Sequence, residues 1–316
     1  MSNVYLSHFS SALGSRVQSV EQAEEAGQLF SPAAALRDAG FESHHICPDD
    51  ENSYHLAART FADSGIDPQA VDAIIYSTCL PLNGDVGNTE KFADSRDVKH
   101  VMRFPASELQ AEFGMDNAFI IGLNQQACTG MLGALRIARS MLYSEEGLKQ
   151  ILCITADRFP QGAKYEQAYN LISDGAAACL VSREAQGFRL VDVHHISNGA
   201  MVNASDDETV GSYFNYTCRL IDEALERAGY TMQDIRWVVP QNTNRKAWNI
   251  LSGLLSLQSA QAFFPVMAQT GHVISADNVI NLEQLQQSGQ LSSGDKVLTF
   301  MAGFGSNWQC AILEAI

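Results

Sequence analysis

Two periods alternate along this chain. Residues 3–13 begin with strand-like alternation, and polar helical stretches follow over 20–29 and 32–39, the second closed by Gly40. Residues 53–65 are apolar at helical spacing and pass through a short turn into an apolar strand over 73–79. Another strand-length apolar run, 118–123, is followed by a turn of small residues. Leu132, Leu135, Ile137, Ala138, Met141 and Leu142 then recur at helical spacing. Buried strands are predicted over 150–156, 176–182 and 188–196. A helix over 216–229 leads into a strand over 237–240, and a further helix covers 247–255. Residues 297–302 and 309–314 read as two strands of a hairpin turned at Gly303-Phe304-Gly305, whose glycines allow N–H groups to face a cavity and supply an oxyanion donor. Strands alternating with helices make this an α/β protein.

The pattern also repeats. The helix, turn and strand over 53–79 match those over 216–240 without a gap, with Gly65 on Gly229, Gln69 on Gln233, Val71 on Ile235 and Ile74 on Val238. Two related α/β halves follow, 1–184 and 185–316, meeting near residues 183–187.

Composition removes several classes of function. A chain of 316 residues with 46% hydrophobic content, 23 Gly and 8 Pro is an ordinary globular protein with a full core. Its net charge of −16 offers no global attraction to nucleic acid or to anionic membrane. The seven cysteines are scattered, with no C-x-x-C pair, as expected of a reducing cytoplasm without disulfide framework or metal site. No basic and apolar leader and no membrane-length apolar run is present, so a soluble cytoplasmic protein is expected.

Among the seven, Cys128 falls in the turn between strand and helix, flanked by Ala127, Thr129, Gly130 and Gly133. Unpaired N–H groups and the positive dipole end at a helix start favour thiolate over thiol, and small neighbours leave room for a carbonyl. Two readings stand: a nucleophile, or a buried structural cysteine. A thiolate nucleophile needs a base or cation, commonly histidine. Of eight histidines, His272 alone follows a glycine in a loop that opens a helix (Gly271-His272-Val273, then Val279, Ile280 and Leu282). A third polar loop, Gln241-Asn242-Thr243-Asn244, leaves a buried strand, where such side chains are costly unless they bond something. Asn244 is also placed to cap the following helix. Residues 83–103 are polar with no clear period, and read as a surface loop, a lid or a partner surface.

These loops, in this order, resemble the thiolase-like condensing enzymes, most closely the β-ketoacyl-ACP synthase III group, over nearly the whole chain. Ala127-Cys128-Thr129-Gly130 is similar to that family's nucleophile turn, and Ser173-Asp174-Gly175-Ala176-Ala177 to its Gly-Asp-Gly-Ala turn. Gly303-Phe304-Gly305 is similar to its C-terminal hairpin. The resemblance implies a five-layered core of two pseudo-repeated αβαβα halves, and a homodimer in which Phe104 reaches the partner's pocket. It also implies an oxyanion hole formed by the backbone N–H groups of Cys128 and Ser306, and residues 83–103 become an insertion.

Two departures change the implied reaction. Decarboxylating members keep His in Val-Pro-His-Gln-Ala-Asn and Asn in Gly-Asn-Thr-Ser. Here Gln241 stands for the first and His272 for the second. This resembles the branch that transfers acyl groups without decarboxylation, and the departure implies a role in specialised metabolism. Cys128 would take the acyl group from a CoA or acyl-carrier-protein thioester, and His272 would deprotonate a small alcohol, amine or thiol acceptor. Asn242 or Gln241 would orient His272, and Gln241, Asn244 and Phe104 would position substrate. CoA or phosphopantetheine would enter only as the substrate's carrier, with no resident cofactor. Two alternatives remain: a condensing enzyme that forms carbon–carbon bonds, and a non-catalytic subunit of a heterodimer.

Overall fold

The computed structural model describes residues 3–84, 88–258, 260–304 and 307–316. Its strands in chain order are β1 (Tyr5–Leu13), β2 (Arg16–Ser19), β3 (Ser43–Ile46), β4 (Ala73–Ser77), β5 (Phe119–Leu123), β6 (Gln150–Asp157) and β7 (Glu166–Gln167). They continue with β8 (Asn170–Leu171), β9 (Gly175–Ser182), β10 (Phe188–Ser197), β11 (Ile235–Val239), β12 (Lys296–Gly303) and β13 (Asn307–Ala315). Nine of them form one sheet in the order β11-β12-β13-β10-β1-β9-β6-β4-β5.

That order contains the repeat. Outward from β1 run β9, antiparallel, then β6, antiparallel to β9, then β4, parallel to β6. Outward from β10 run β13, β12 and β11 with the same three directions. The two series meet where β1 pairs antiparallel with β10, Tyr5 opposite Arg189 and Leu6 opposite Phe188. β5 adds a parallel edge strand beyond β4, whereas its counterpart beyond β11 is a single parallel bridge from Val238 to Ala262.

Helix packing gives five layers. Helices Gly130–Ser144 and Asp277–Gln287 share one apolar cluster with Ile75, Cys153 and Val181 on one side and Val239, Val297 and Leu313 on the other. Sandwiched this way, Gly130–Ser144 buries residues on several faces, and its run of Gly, Ala and Leu suits close approach. Helices Ser53–Ala62 and Pro105–Glu112 cover the outside of the first half. Helices Asp206–Ala228 and Arg245–Leu254 cover the outside of the second. This is the thiolase-like arrangement expected.

Two expectations change. Residues 83–103 are not a plain loop: Pro81–Gly84 and Thr89–Ser95 are short helices and Val98–Val101 is a 3₁₀ turn. Asn88 and Asp97 cap the latter two, so capping rather than an apolar face holds them. The helix expected from 216 begins at Asp206, capped reciprocally by Ser205 and Glu208. No described helix is long and apolar enough to cross a membrane.

Candidate active site

The nucleophile turn grows out of β5. Ala127–Thr129 form a 3₁₀ turn that runs straight into helix Gly130–Ser144, so Cys128 sits one turn before the helix proper. Gln125 and Ala127 both take positive φ, 66° and 47°, a conformation that costs free energy in residues other than glycine and needs surrounding support. That support is visible. Thr129 N and Oγ1 donate to the Gln126 carbonyl at 3.0 and 2.7 Å, and Gln309 Nε2 donates to Gln126 Oε1 at 2.7 Å and to Thr129 Oγ1 at 3.1 Å. From the second half, Ser275 Oγ donates to the Ala127 carbonyl at 3.0 Å.

His272 is held by its backbone as firmly as by its ring. Its N–H donates to the Leu171 carbonyl at 2.8 Å, and its carbonyl accepts from Ser173 N–H at 2.9 Å. Gly271, at φ 60° and ψ −161°, makes that approach possible, since a Cβ there would lie 2.8 Å from the Leu171 oxygen. The imidazole Nε2 then lies 3.4 Å from Cys128 Sγ.

The other ring nitrogen, Nδ1, is 2.5 Å from Asp277 Oδ2. Asp277 is fully buried, and its carboxylate also accepts from Val273 N–H and Asn242 N–H, both at 2.7 Å. The residues therefore form a chain, Cys128–His272–Asp277. The expected orienting role of the Asn242 side chain is corrected here. Its Nδ2 faces Thr270 Oγ1 at 3.4 Å and its Oδ1 accepts from Asn281 at 2.9 Å, so only its backbone acts, and on Asp277. The third member of the chain was missed in the sequence, although Asp277 stands five residues after His272 in the first turn of the next helix.

Charge is organised along this line. The neighbouring Cys79 thiol lowers the Cys128 pKa; burial opposes this, and the His272 imidazolium lowers it further. Burial alone would lower the His272 pKa, but the Asp277 carboxylate and the Cys128 thiolate together raise it. A thiolate–imidazolium pair is the form that these opposite directions favour at neutral pH.

Gln241 occupies a defined orientation. Its Oε1 is 2.5 Å from Ala302 N, which can only donate, so the oxygen must face that way and Nε2 must face the other. Ala302 precedes Gly303, where a Cβ would come within 3.1 Å of Cys128 N. The start of the C-terminal hairpin thus abuts the backbone N–H of the cysteine. Ser306, the second expected oxyanion donor, lies outside the described residues.

A cavity of about 290 Å³ opens onto Cys128, His272 and Gln241. Tyr169, Tyr213, Phe214, Ile250, Phe304 and Trp308 give it a largely aromatic wall. Lys246 is its one lysine or arginine among the described lining residues, and it is paired with Asp38. Asn244 lines the cavity, but its Oδ1 accepts from Lys246 N–H at 2.9 Å as a helix cap. Phe104 is elsewhere: it is 60% exposed and borders a separate hollow beside Tyr76, Ile120 and Asn124. Among the described residues, no group of three or more His, Cys, Asp or Glu side chains is disposed to hold a metal ion.

Fold and site define a thiolase-like enzyme of acyl transfer or condensation. Residues 124–199 match the family model for 3-oxoacyl-[acyl-carrier-protein] synthase III, and 225–315 match the model for its C-terminal part. The chain belongs to that family. It is 24% identical to the β-ketoacyl-[acyl-carrier-protein] synthase III of Rhodobacter capsulatus, covering 93% of this chain and 94% of the relative. Solved structures similar to it include the 3-oxoacyl-[acyl-carrier-protein] synthase III of Aquifex aeolicus VF5 (TM-score 0.82, 19% identity, 98% and 99% of the two chains). ChlB3, named an acyltransferase, is alike at TM-score 0.81 (19% identity, 99% and 98%), and Xanthomonas campestris OleA with bound cerulenin at 0.79 (14% identity, 99% and 96%).

Proposed function

We propose that this protein is an acyltransferase that carries an acyl group on Cys128 from a CoA or acyl-carrier-protein thioester to an alcohol, amine or thiol acceptor. The observation that carries the reading is the line Cys128–His272–Asp277, in which His272 is the one histidine among the described residues that line the cavity. In the first half-reaction the thiolate attacks the thioester carbonyl, and the backbone N–H of Cys128, with that of Ser306, receives the developing oxyanion. The carrier thiolate leaves and takes the His272 proton. The imidazole, now neutral at Nε2, accepts a proton from the acceptor as it attacks the acyl-cysteine, the acyl–sulfur bond breaks with Cys128 leaving as thiolate, and Asp277 stabilises the imidazolium that forms.

Enolate formation from a malonyl thioester needs two donors at the thioester oxygen. Here Gln241 supplies a neutral amide and His272 is engaged with Cys128, so transfer to an external nucleophile is the better-supported outcome. Intact-protein mass after incubation with a panel of acyl-CoAs tests this. Wild type gains the acyl increment and loses it when acceptor is added, Cys128→Ala gains none, and His272→Ala acylates but retains the increment. Release of carbon dioxide from a malonyl thioester would establish condensation instead, and a wild-type enzyme never acylated at Cys128 would refute both.

A homodimer is part of the proposal. β5 is an unpaired sheet edge, Phe119 on it is 43% exposed, and the neighbouring Val98, Met102 and Phe104 are exposed as well. Long exposed apolar edges are ordinarily covered. Action on small acyl and acceptor substrates in the cytoplasm, in specialised metabolism, completes the reading.

A further inference from the structure

One buried side chain breaks the pattern of its strand and ends at the nucleophile turn. Along β13, Trp308, Cys310 and Ile312 pack in the outer cluster of the second half. Ala311 and Leu313 face the central layer and share an apolar cluster with Cys128, Met131 and Leu132. Alternation puts Gln309 on that same central face, where it is 4% exposed. An amide is costly there unless it bonds something. Its Nε2 reaches from the second half into the first, donating to Gln126 Oε1 at 2.7 Å and to Thr129 Oγ1 at 3.1 Å. Thr129 Oγ1 gives its own proton to the Gln126 carbonyl at 2.7 Å, so it can only accept from Gln309, which fixes Nε2 toward the turn. Gln309 Oε1 has no partner among the described residues, so the amide is placed for its donors.

We propose that Gln309 is a positioning residue for acylation: through Gln126 and Thr129 it holds the Ala127–Cys128 peptide, and so aims the Cys128 N–H at the place where the thioester oxygen becomes an oxyanion. This rests on Cys128 being the acylated nucleophile with its own N–H as an oxyanion donor, but not on which acyl group or acceptor is used. Gln126 stands between the two residues of positive φ, Gln125 at 66° and Ala127 at 47°. Such conformations persist only where the surroundings over-determine them. Gln309 grips Gln126 at its side chain, and Thr129 grips it at its carbonyl. Ser275 Oγ holds the carbonyl end of the Ala127–Cys128 peptide at 3.0 Å, which leaves the N–H end to the Gln126 side. Room for the grip is reserved. A Cβ on Gly133 would collide with Gln126 Oε1, and one on Gly303 would lie 2.9 Å from the Gln126 carbonyl oxygen. All of these groups are neutral, so the clamp directs the N–H without altering the thiolate–imidazolium pair.

The test separates two reactions of one sulfur. Iodoacetamide alkylates Cys128 by displacement at carbon, with iodide leaving and no oxyanion formed. An activated ester, p-nitrophenyl acetate, acylates it through a tetrahedral oxyanion, the carbon–sulfur bond forming before nitrophenolate leaves. Both reactions are run on the intact protein and read by mass at the Cys128 peptide. Wild type, Gln309→Met, Gln126→Met and the double variant are compared after their melting temperatures are checked. In each single variant acylation should slow about 10–100-fold, as a misaimed donor does, while the alkylation rate stays within about twofold of wild type and its pH profile is unmoved. The double variant should fall no further than the worse single one, since both remove the same contact. Acylation that keeps its wild-type rate, or acylation and alkylation that slow together, would overturn the proposal. So would single losses that multiply in the double variant. If Gln309→Met does not fold, Gln126→Met decides by the same split. A wild-type enzyme that is alkylated but never acylated would sink the reaction proposed above and this inference with it, a result distinct from a failed split.

Discussion

Replacing Asp277 by Asn changes almost no volume and tests the whole charge line. The carboxylate accepts three hydrogen bonds: Oδ2 from His272 Nδ1 and Asn242 N–H, and Oδ1 from Val273 N–H. An amide has one oxygen to offer, so each orientation fails somewhere. With Nδ2 in the place of Oδ2, the amide donates to His272 Nδ1, which drives the ring proton to Nε2 and removes the base that faces Cys128. With the amide flipped, Nδ2 meets the Val273 N–H, leaving buried donors face to face at about 1–3 kcal/mol. The wrong tautomer costs about 10⁴-fold in the Ser-His-Asp hydrolases that serve as the reference case. We expect turnover to fall about 10³–10⁴-fold, or roughly 4–5.5 kcal/mol at 1.36 kcal/mol per tenfold. The assay pairs steady-state transfer with intact-protein mass, after melting shows the variant folded. Loss of the Asp277 charge by itself would lower the Cys128 pKa, but the larger effect is that a neutral ring no longer holds the thiolate, so the pH profile of Cys128 alkylation should move up toward an ordinary thiol. That sign follows from the shifts: the thiolate is present above its lowered pKa and is lost as pH falls through it. A folded Asp277→Asn enzyme with full turnover and an unmoved profile would refute the reasoning.

Gln241→Glu replaces the amide with a group that can still accept from Ala302 N–H but presents an oxygen to the cavity; acylation of Cys128 should persist while transfer slows at least tenfold, by mass and rate together. Gly271→Ala puts a Cβ 2.8 Å from the Leu171 oxygen in a backbone region that non-glycine residues avoid, and should destabilise by about 1–3 kcal/mol in urea unfolding. Phe119→Asp on the exposed edge of β5 should shift the molecular mass measured by light scattering from dimer toward monomer.

The elements around the site were legible because each is a buried run with one period. Strand β6, strand β9 and helix Gly130–Ser144 read clearly, since their apolar positions have nowhere to face but the core. The polar first turns of helix Asp206–Ala228 hide its start from the apolar period, yet Ser205-Asp206-Asp207-Glu208 carries the capping-box signature that places it. Helix Thr89–Ser95 and the turn Val98–Val101 bury no residue in the chain, so no period marks them. Cys128 and His272 each announced themselves by a small residue in a loop opening a helix. Asp277 did not, because its partners converge from three segments: the imidazole, the Val273 amide and, from another loop, the Asn242 amide.

The two departures from the family pattern also explain one another in physical terms. A histidine at position 241 would bring a second imidazole against the Ala302 amide, close to His272, and two such rings would each lower the other's affinity for a proton. With Gln241 there, the position becomes a rigid neutral support for the hairpin that abuts Cys128 N–H. His272 is then free to be tuned by one carboxylate alone. Asp277 can raise its basicity without a competing cation, which is the property that a base serving an external nucleophile requires. Restoring the family pair by Gln241→His with His272→Asn should therefore remove transfer to the acceptor, since the carboxylate would be left buried without the imidazole it orients.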